Sequence, residues 1–238
     1  MNKKKSSSPF AGRRDLTVRV KTAKKRSTSS TLWLQRQLND PYVQQAKRDG
    51  YASRAAYKIL ELDEKYRIFK HGYRVVDLGA APGGWSQVAA RAVGSQADNP
   101  HVVALDVLDM SPIKGVHCLQ CDIEDEGTVE RIHALLQGKV HVVLSDMAPN
   151  TTGHAATDHI RIVALCELAY AFACDTLMEG GTFICKVRQG GAEQSLLQVL
   201  KKRFKHVSHF KPQSSRKESP ETYLVAREFK DIATNEEG

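Results

Sequence analysis

From Tyr73 to the C-terminus, short apolar runs alternate with segments whose apolar residues recur every three or four positions. The short runs predict strands at 74–78, 101–107, 116–121, 140–146, 181–188, 206–211 and 222–229. The periodic segments between them predict helices at 85–93, 126–137, 157–178 and 191–204. Such alternation implies an α/β fold: a mostly parallel seven-stranded sheet with helices on both faces. Only about ten residues, Pro212 to Glu221, join the last two runs. That is too short for a crossover helix, so the last strand should run antiparallel. Ahead of the sheet, residues 31–48 carry a helical pattern that Asp40-Pro41 interrupts. Ser53 then opens a helix over 54–68. Ala55, Ile59, Leu62 and Tyr66 form its buried stripe, and Lys58 lies one step off it.

Charge changes this picture at one end. The net charge is +8, but residues 1–36 hold eleven Lys/Arg and a single acid, Asp15. The rest of the chain holds 24 Lys/Arg against 26 Asp/Glu. Residues 1–30, rich in Lys, Arg and Ser, therefore read as a disordered basic arm, the footprint of a polyanionic partner. Residues 31–229 form the folded domain and 230–238 a short polar tail. A second basic cluster, Lys201, Lys202, Arg203 and Lys205, fits a phosphate contact or the cationic end of a helix equally well. No apolar run is long enough for a membrane span, and no secretory signal is expected. Five cysteines, an odd number, suit reduced thiols in the cytoplasm. Cys118 and Cys121 form a CxxC, but on a strand residues three apart face opposite sides, so no metal site is expected.

The candidate chemistry gathers at one rim. In an open α/β sheet, ligands bind beyond the carboxyl ends of the strands. Asp77, Asp106, Asp122 and Asp146 end the first four strands, and Lys186 lies near the end of the fifth. Glu221 begins the last strand, whose reversed direction brings it to the same rim. A lone Lys186 within Phe183–Val187 is costly in an apolar strand unless it serves a purpose. After the first strand, Gly79, Gly83 and Gly84 allow a sharp turn with close backbone approach to a ligand. Ala81 and Pro82 interrupt the register of a dinucleotide fingerprint, which disfavours a nicotinamide-dependent oxidoreductase.

The segment Asp77-Leu78-Gly79-Ala80-Ala81-Pro82-Gly83-Gly84-Trp85-Ser86-Gln87 resembles the cofactor loop of the FtsJ/RrmJ family of RNA ribose 2′-O-methyltransferases. The family's Lys-Asp-Lys-Glu tetrad is matched in order. Ser53-Arg54-Ala55-Ala56-Tyr57-Lys58 supplies Lys58, and Ser145–Asn150 supplies Asp146. Lys186-Val187-Arg188-Gln189-Gly190 supplies Lys186, and Glu221-Thr222-Tyr223, after Ser214-Ser215-Arg216, supplies Glu221. The resemblance spans roughly residues 31–227. It implies a Rossmann-like methyltransferase fold with S-adenosyl-L-methionine as cofactor. It also implies Lys186 as proton acceptor, with Lys58, Asp146 and Glu221 positioning it and the hydroxyl. Gly83 and Trp85 would hold the methionine end, Asp106 the ribose and Asp122 the adenine amino group, with Asp146 near the methyl. The implied partner is RNA, a uridine of 23S ribosomal RNA in the large subunit, met by a monomer with no DNA or membrane involved. Transfer RNA or mitochondrial ribosomal RNA as substrate, or a non-catalytic RNA-binding assembly factor, are the rival readings. The chain has no Asn/Asp-Pro-Pro-Tyr/Phe segment for amino-group methylation and no Pro-Cys nucleophile for C5-pyrimidine methylation. A sugar hydroxyl fits these absences, and a 2′-hydroxyl marks RNA.

Overall fold

The computed structural model describes residues 20, 22, 27–149, 153–188, 193–216 and 218–231. The chain divides into two compact units, Met1–Arg54 and Ala55–Gly238.

The first unit carries two helices, α1 (Thr28–Leu38) and α2 (Pro41–Asp49). Ser27 caps α1, its hydroxyl accepting the Ser30 amide at 3.3 Å. The helix thus begins three residues inside the expected basic arm, most of which lies outside the described residues. Asp40-Pro41 both ends one helix and starts the next. The Asp40 carboxylate accepts the Tyr42 amide at 3.0 Å, and Pro41 takes the first helical position, where no amide is needed. Asp40 also pairs with Arg54, whose guanidinium lies over the Tyr42 ring.

The second unit begins with α3 (Ala56–Tyr66) and continues through β1 (Val75–Leu78), α4 (Gly84–Val93), β2 (Val102–Asp106) and β3 (Val116–Gln120). Then come α5 (Thr128–Leu136), β4 (Val140–Ser145), α6 (Ala155–Thr176) and β5 (Leu177–Arg188). The chain closes with α7 (Glu193–Arg203), β6 (Phe204–Phe210) and β7 (Glu221–Phe229). The seven strands order as β3-β2-β1-β4-β5-β7-β6. All pairs from β3 to β5 are parallel, while β7 runs antiparallel between β5 and β6. The order reverses between β1 and β4, the switch point where such sheets open a crevice.

Strand alternation decides what faces each side. Val76 and Leu78 of β1, Cys185 and Val187 of β5, and Leu224 and Ala226 of β7 share one core with α5, α6 and α7. Their neighbours Asp77, Lys186 and Tyr223 therefore face the opposite side, where α3 and α4 lie. The Ser86 hydroxyl of α4 accordingly donates to Asp77 at 2.6 Å. β5 is longer than its apolar run predicts, and α6 stops at Thr176 rather than 178. Leu177 pairs with Val140, then the register jumps to Thr182 opposite Val142. Gly180-Gly181 makes this bulge possible: Gly180 has φ +79°, and a Cβ on Gly181 would fall 2.8 Å from the Met178 carbonyl.

Candidate active site

Four side chains converge at the carboxyl rim on the α3/α4 side. Lys58 comes from the first turn of α3, Asp146 from the residue after β4, Lys186 from the end of β5 and Glu221 from the start of β7. Lys58 Nζ lies 2.6 Å from Glu221 Oε1 and 3.8 Å from Asp146 Oδ2. Lys186 Nζ lies 3.1 Å from Asp146 Oδ1 and also donates to the Asp146 carbonyl. Two ammonium groups and two carboxylates thus form one chain of contacts. Their side chains are 11–23% exposed, so the cluster is largely desolvated yet open on one side.

Tyr223 ties the two carboxylates together. Its hydroxyl sits 2.8 Å from Asp146 Oδ1 and 3.0 Å from Glu221 Oε1. One phenolic proton serves one acceptor at a time, so the hydroxyl can switch between them. Glu221 and Tyr223 share a strand face, two residues apart. Burial and the two neighbouring carboxylates push the Tyr223 hydroxyl well above its ordinary pKa, so it stays a donor. Burial would raise Asp146, but the Lys186 and Lys58 charges and the Tyr223 hydrogen bond hold it below the usual carboxylate range. Asp146 is therefore an anion fixed between two cations.

Beside this cluster lies a cavity of about 790 Å3, lined by Gly79, Ala81, Asp106, Asp122, Asp146 and Pro149 among others. Its volume suits a ligand of nucleoside size. Gly79 shapes its floor: φ is +69°, and a Cβ there would fall 2.5 Å from Met147 Cγ. Only glycine lets the β1 and β4 loops meet this closely. Asp106 is anchored by the Ala81 amide on Oδ2 and the Leu108 amide on Oδ1, both at 2.8 Å. Each oxygen keeps a second lone pair for a ligand hydroxyl. Asp122 accepts the Glu124 amide at 3.1 Å, which fixes it in a turn at the same wall. Acidic groups at three points suit a ligand with hydroxyls, an amino group and a positive centre, and the set fits an adenosyl sulfonium.

Gly83 and Trp85 sit differently from the expected ligand wall. The Trp85 ring is turned inward and 2% exposed; its Nε1–H donates to the Ala55 carbonyl at 2.8 Å and the ring tilts against Tyr223. Gly83 caps α4 with φ +102°. Neither side belongs to the cavity lining, but the α4 N-terminus they form opens at the same rim. The Lys201–Lys205 cluster lies at the far end of the sheet. Phe204 pairs with Phe229, whereas Glu221 pairs with Arg188, and eight strand steps of roughly 3.3 Å separate the two ends. There Lys205 pairs with Glu228 and Arg203 lies over the Phe229 ring.

A family model for FtsJ-like methyltransferases matches residues 51–229. The chain belongs to the FtsJ-like methyltransferase family. It is a methyltransferase whose methyl donor is S-adenosylmethionine. It is 55% identical over 226 residues to the ribosomal RNA large subunit methyltransferase E of Parvibaculum lavamentivorans, covering 92% of this chain and 89% of that one. It is 54% identical to the enzyme of the same name from Rickettsia akari, covering 91% and 96%. Among solved structures, a ribosomal RNA methyltransferase from Plasmodium falciparum superposes with a TM-score of 0.65 at 31% identity, over 75% of this chain and 98% of that one. The family match covers the cavity and all four residues of the polar cluster, and the α/β expectation holds strand for strand.

Proposed function

We propose that this methyltransferase modifies the 2′-oxygen of a uridine ribose in the large-subunit ribosomal RNA, 23S in bacteria. The observation that carries the reading is the cluster of Lys58, Asp146, Lys186 and Glu221 beside the acid-lined cavity. Relatives above 50% identity named for large-subunit ribosomal RNA support the substrate. In the cavity, Asp106 takes the ribose hydroxyls, Asp122 the adenine amino group and Asp146 the neighbourhood of the sulfonium. The first amides of α4, from the turn at Gly83 and Trp85, carry the partial positive charge that receives the methionine carboxylate.

The donor supplies a methyl carbon that is already electrophilic. What the protein adds is alignment of the attacking oxygen and a destination for its proton. Lys186, an ammonium in the resting cluster, would release a proton to solvent and then take the proton of the hydroxyl as that oxygen accepts the methyl group. Asp146 holds Lys186 from two oxygens, its carboxylate and its carbonyl. Lys58, held by Glu221, orients the hydroxyl from the other side. The enzyme works as a cytoplasmic monomer in this reading. Among the described residues, no helix is long and apolar enough to cross a membrane.

The test is transfer of labelled methyl groups to naked ribosomal RNA, isolated large subunits and transfer RNA in parallel, with the product nucleotide mapped. A 2′-O-methyluridine in large-subunit RNA is the expected product. Label confined to transfer RNA, or found on a base, would refute the reading.

A further inference from the structure

Glu61 stands outside the four-residue cluster but three positions beyond Lys58, on the same side of α3. Its carboxylate reaches a loop more than 150 residues later in the chain. Oε1 accepts the Ser214 amide at 2.8 Å, and Oε2 accepts the Gln213 amide. Two consecutive amides on the two oxygens of one carboxylate make a charge-assisted fork that fixes both position and direction of the loop. Ser214 is fully buried, so the loop is pressed in at this point rather than resting on the surface.

That loop delivers Glu221. Ser215, next to the clamped amides, places its hydroxyl 3.4 Å from Glu221 Oε1. Ser219 accepts the Glu221 amide at 3.3 Å, and Lys211 Nζ closes the loop on the Ser219 carbonyl at 2.9 Å. One helix therefore grips the start of β7 twice, through Lys58 to the Glu221 carboxylate and through Glu61 to the backbone leading into it.

We propose that Glu61 is a positioning residue for methyl transfer, a clamp that holds the loop from Pro212 to Pro220 so that Ser215 and Glu221 stay registered on Lys58. The inference rests on the reading of Lys58, Asp146, Lys186 and Glu221 as the reacting cluster. Without the clamp the loop keeps its covalent ends but loses the carboxylate that holds its Gln213 and Ser214 amides, and Glu221 drifts from Lys58.

The experiment measures kcat, KM for S-adenosylmethionine and thermal unfolding for full-length Glu61→Ala and Glu61→Gln, alone and combined with Glu221→Gln. Misplacement of about 1 Å at a reacting group lowers kcat by about 100-fold, and that is expected for Glu61→Ala, with KM for the donor unchanged. Glu61→Gln keeps one oxygen acceptor and should recover about tenfold of the loss. Because Glu61 acts through Glu221, adding Glu61→Ala to Glu221→Gln should cost little more than Glu221→Gln alone. A Glu61→Ala kcat within twofold of wild type, or fully additive losses in the double variant, would overturn the proposal. Glu221→Gln and Lys186→Ala enzymes with undiminished turnover would instead sink the four-residue reading, and the clamp with it.

Discussion

Asp77 allows a prediction with a sign and a size. It lies at the end of β1, fully buried, with the Ser86 hydroxyl on Oδ2 and no hydrogen-bond partner for Oδ1 among the described residues. Burial raises its pKa from 3.8 to about 7; the nearby Asp146 and Asp106 charges add to the rise, and the Ser86 hydrogen bond offsets part of it. In the unfolded chain the group ionises at its ordinary value. Between those two values the folded protein holds about one proton more than the unfolded one. Stability must then fall as pH rises through this window and level off above about 7. At 1.36 kcal/mol per pH unit, the full loss is about 4 kcal/mol, and about 2.6 kcal/mol of it falls between pH 5 and 8. Asp77→Asn removes the titration while keeping an oxygen for Ser86. The offset between the two proteins depends on how the new amide is accommodated, but their difference in pH slope does not. Urea unfolding of both proteins at pH 5, 6, 7 and 8 reads it directly. Wild type should lose about 2.6 kcal/mol relative to the variant across that range, with equal m-values. Parallel stability curves would mean that Asp77 is ionised in the fold and that the burial argument fails.

Three predictions concern the site itself. Lys186→Ala should lower kcat by about 10²- to 10⁴-fold while leaving donor affinity by calorimetry nearly intact; retained turnover would remove Lys186 from proton transfer. Tyr223→Phe deletes a hydrogen bond to a charged group, worth about 1.5–3 kcal/mol, so kcat should fall at least about tenfold with the fold preserved. A Phe variant with wild-type kcat would make the hydroxyl a packing feature only. Asp106→Ala should weaken S-adenosylmethionine binding by about 10- to 100-fold, and an unchanged Kd would displace it from the ribose position.

What could be read in advance follows the range of the interactions. Strands such as β1, buried on both faces, declare themselves as continuous apolar runs, and helices such as α4 and α5 by period. The rim acids and Lys186 were visible because a charge ending or interrupting such a run has a cost that only a site offsets. The Gly180-Gly181 bulge was missed because two glycines between a helix and a strand read as a simple break. Trp85 shows a different limit: its place in the loop motif is plain, but the direction of its ring is set by the Ala55 carbonyl and Tyr223, far away in sequence. Tyr223 did leave a signal, since alternation puts it on the face of Glu221, two residues before it. Glu61 left half of one: its spacing from Lys58 marks the same helix side, but its partners, the Gln213 and Ser214 amides, lie about 150 residues on. Backbone donors have no residue type, so no sequence pattern could have named them. The cluster's identity is thus written in side chains that sequence can spell, whereas its geometry depends on loop backbone gripped across the fold. Substitutions that spare all four cluster residues but release that backbone should therefore disable the enzyme while leaving its motifs intact.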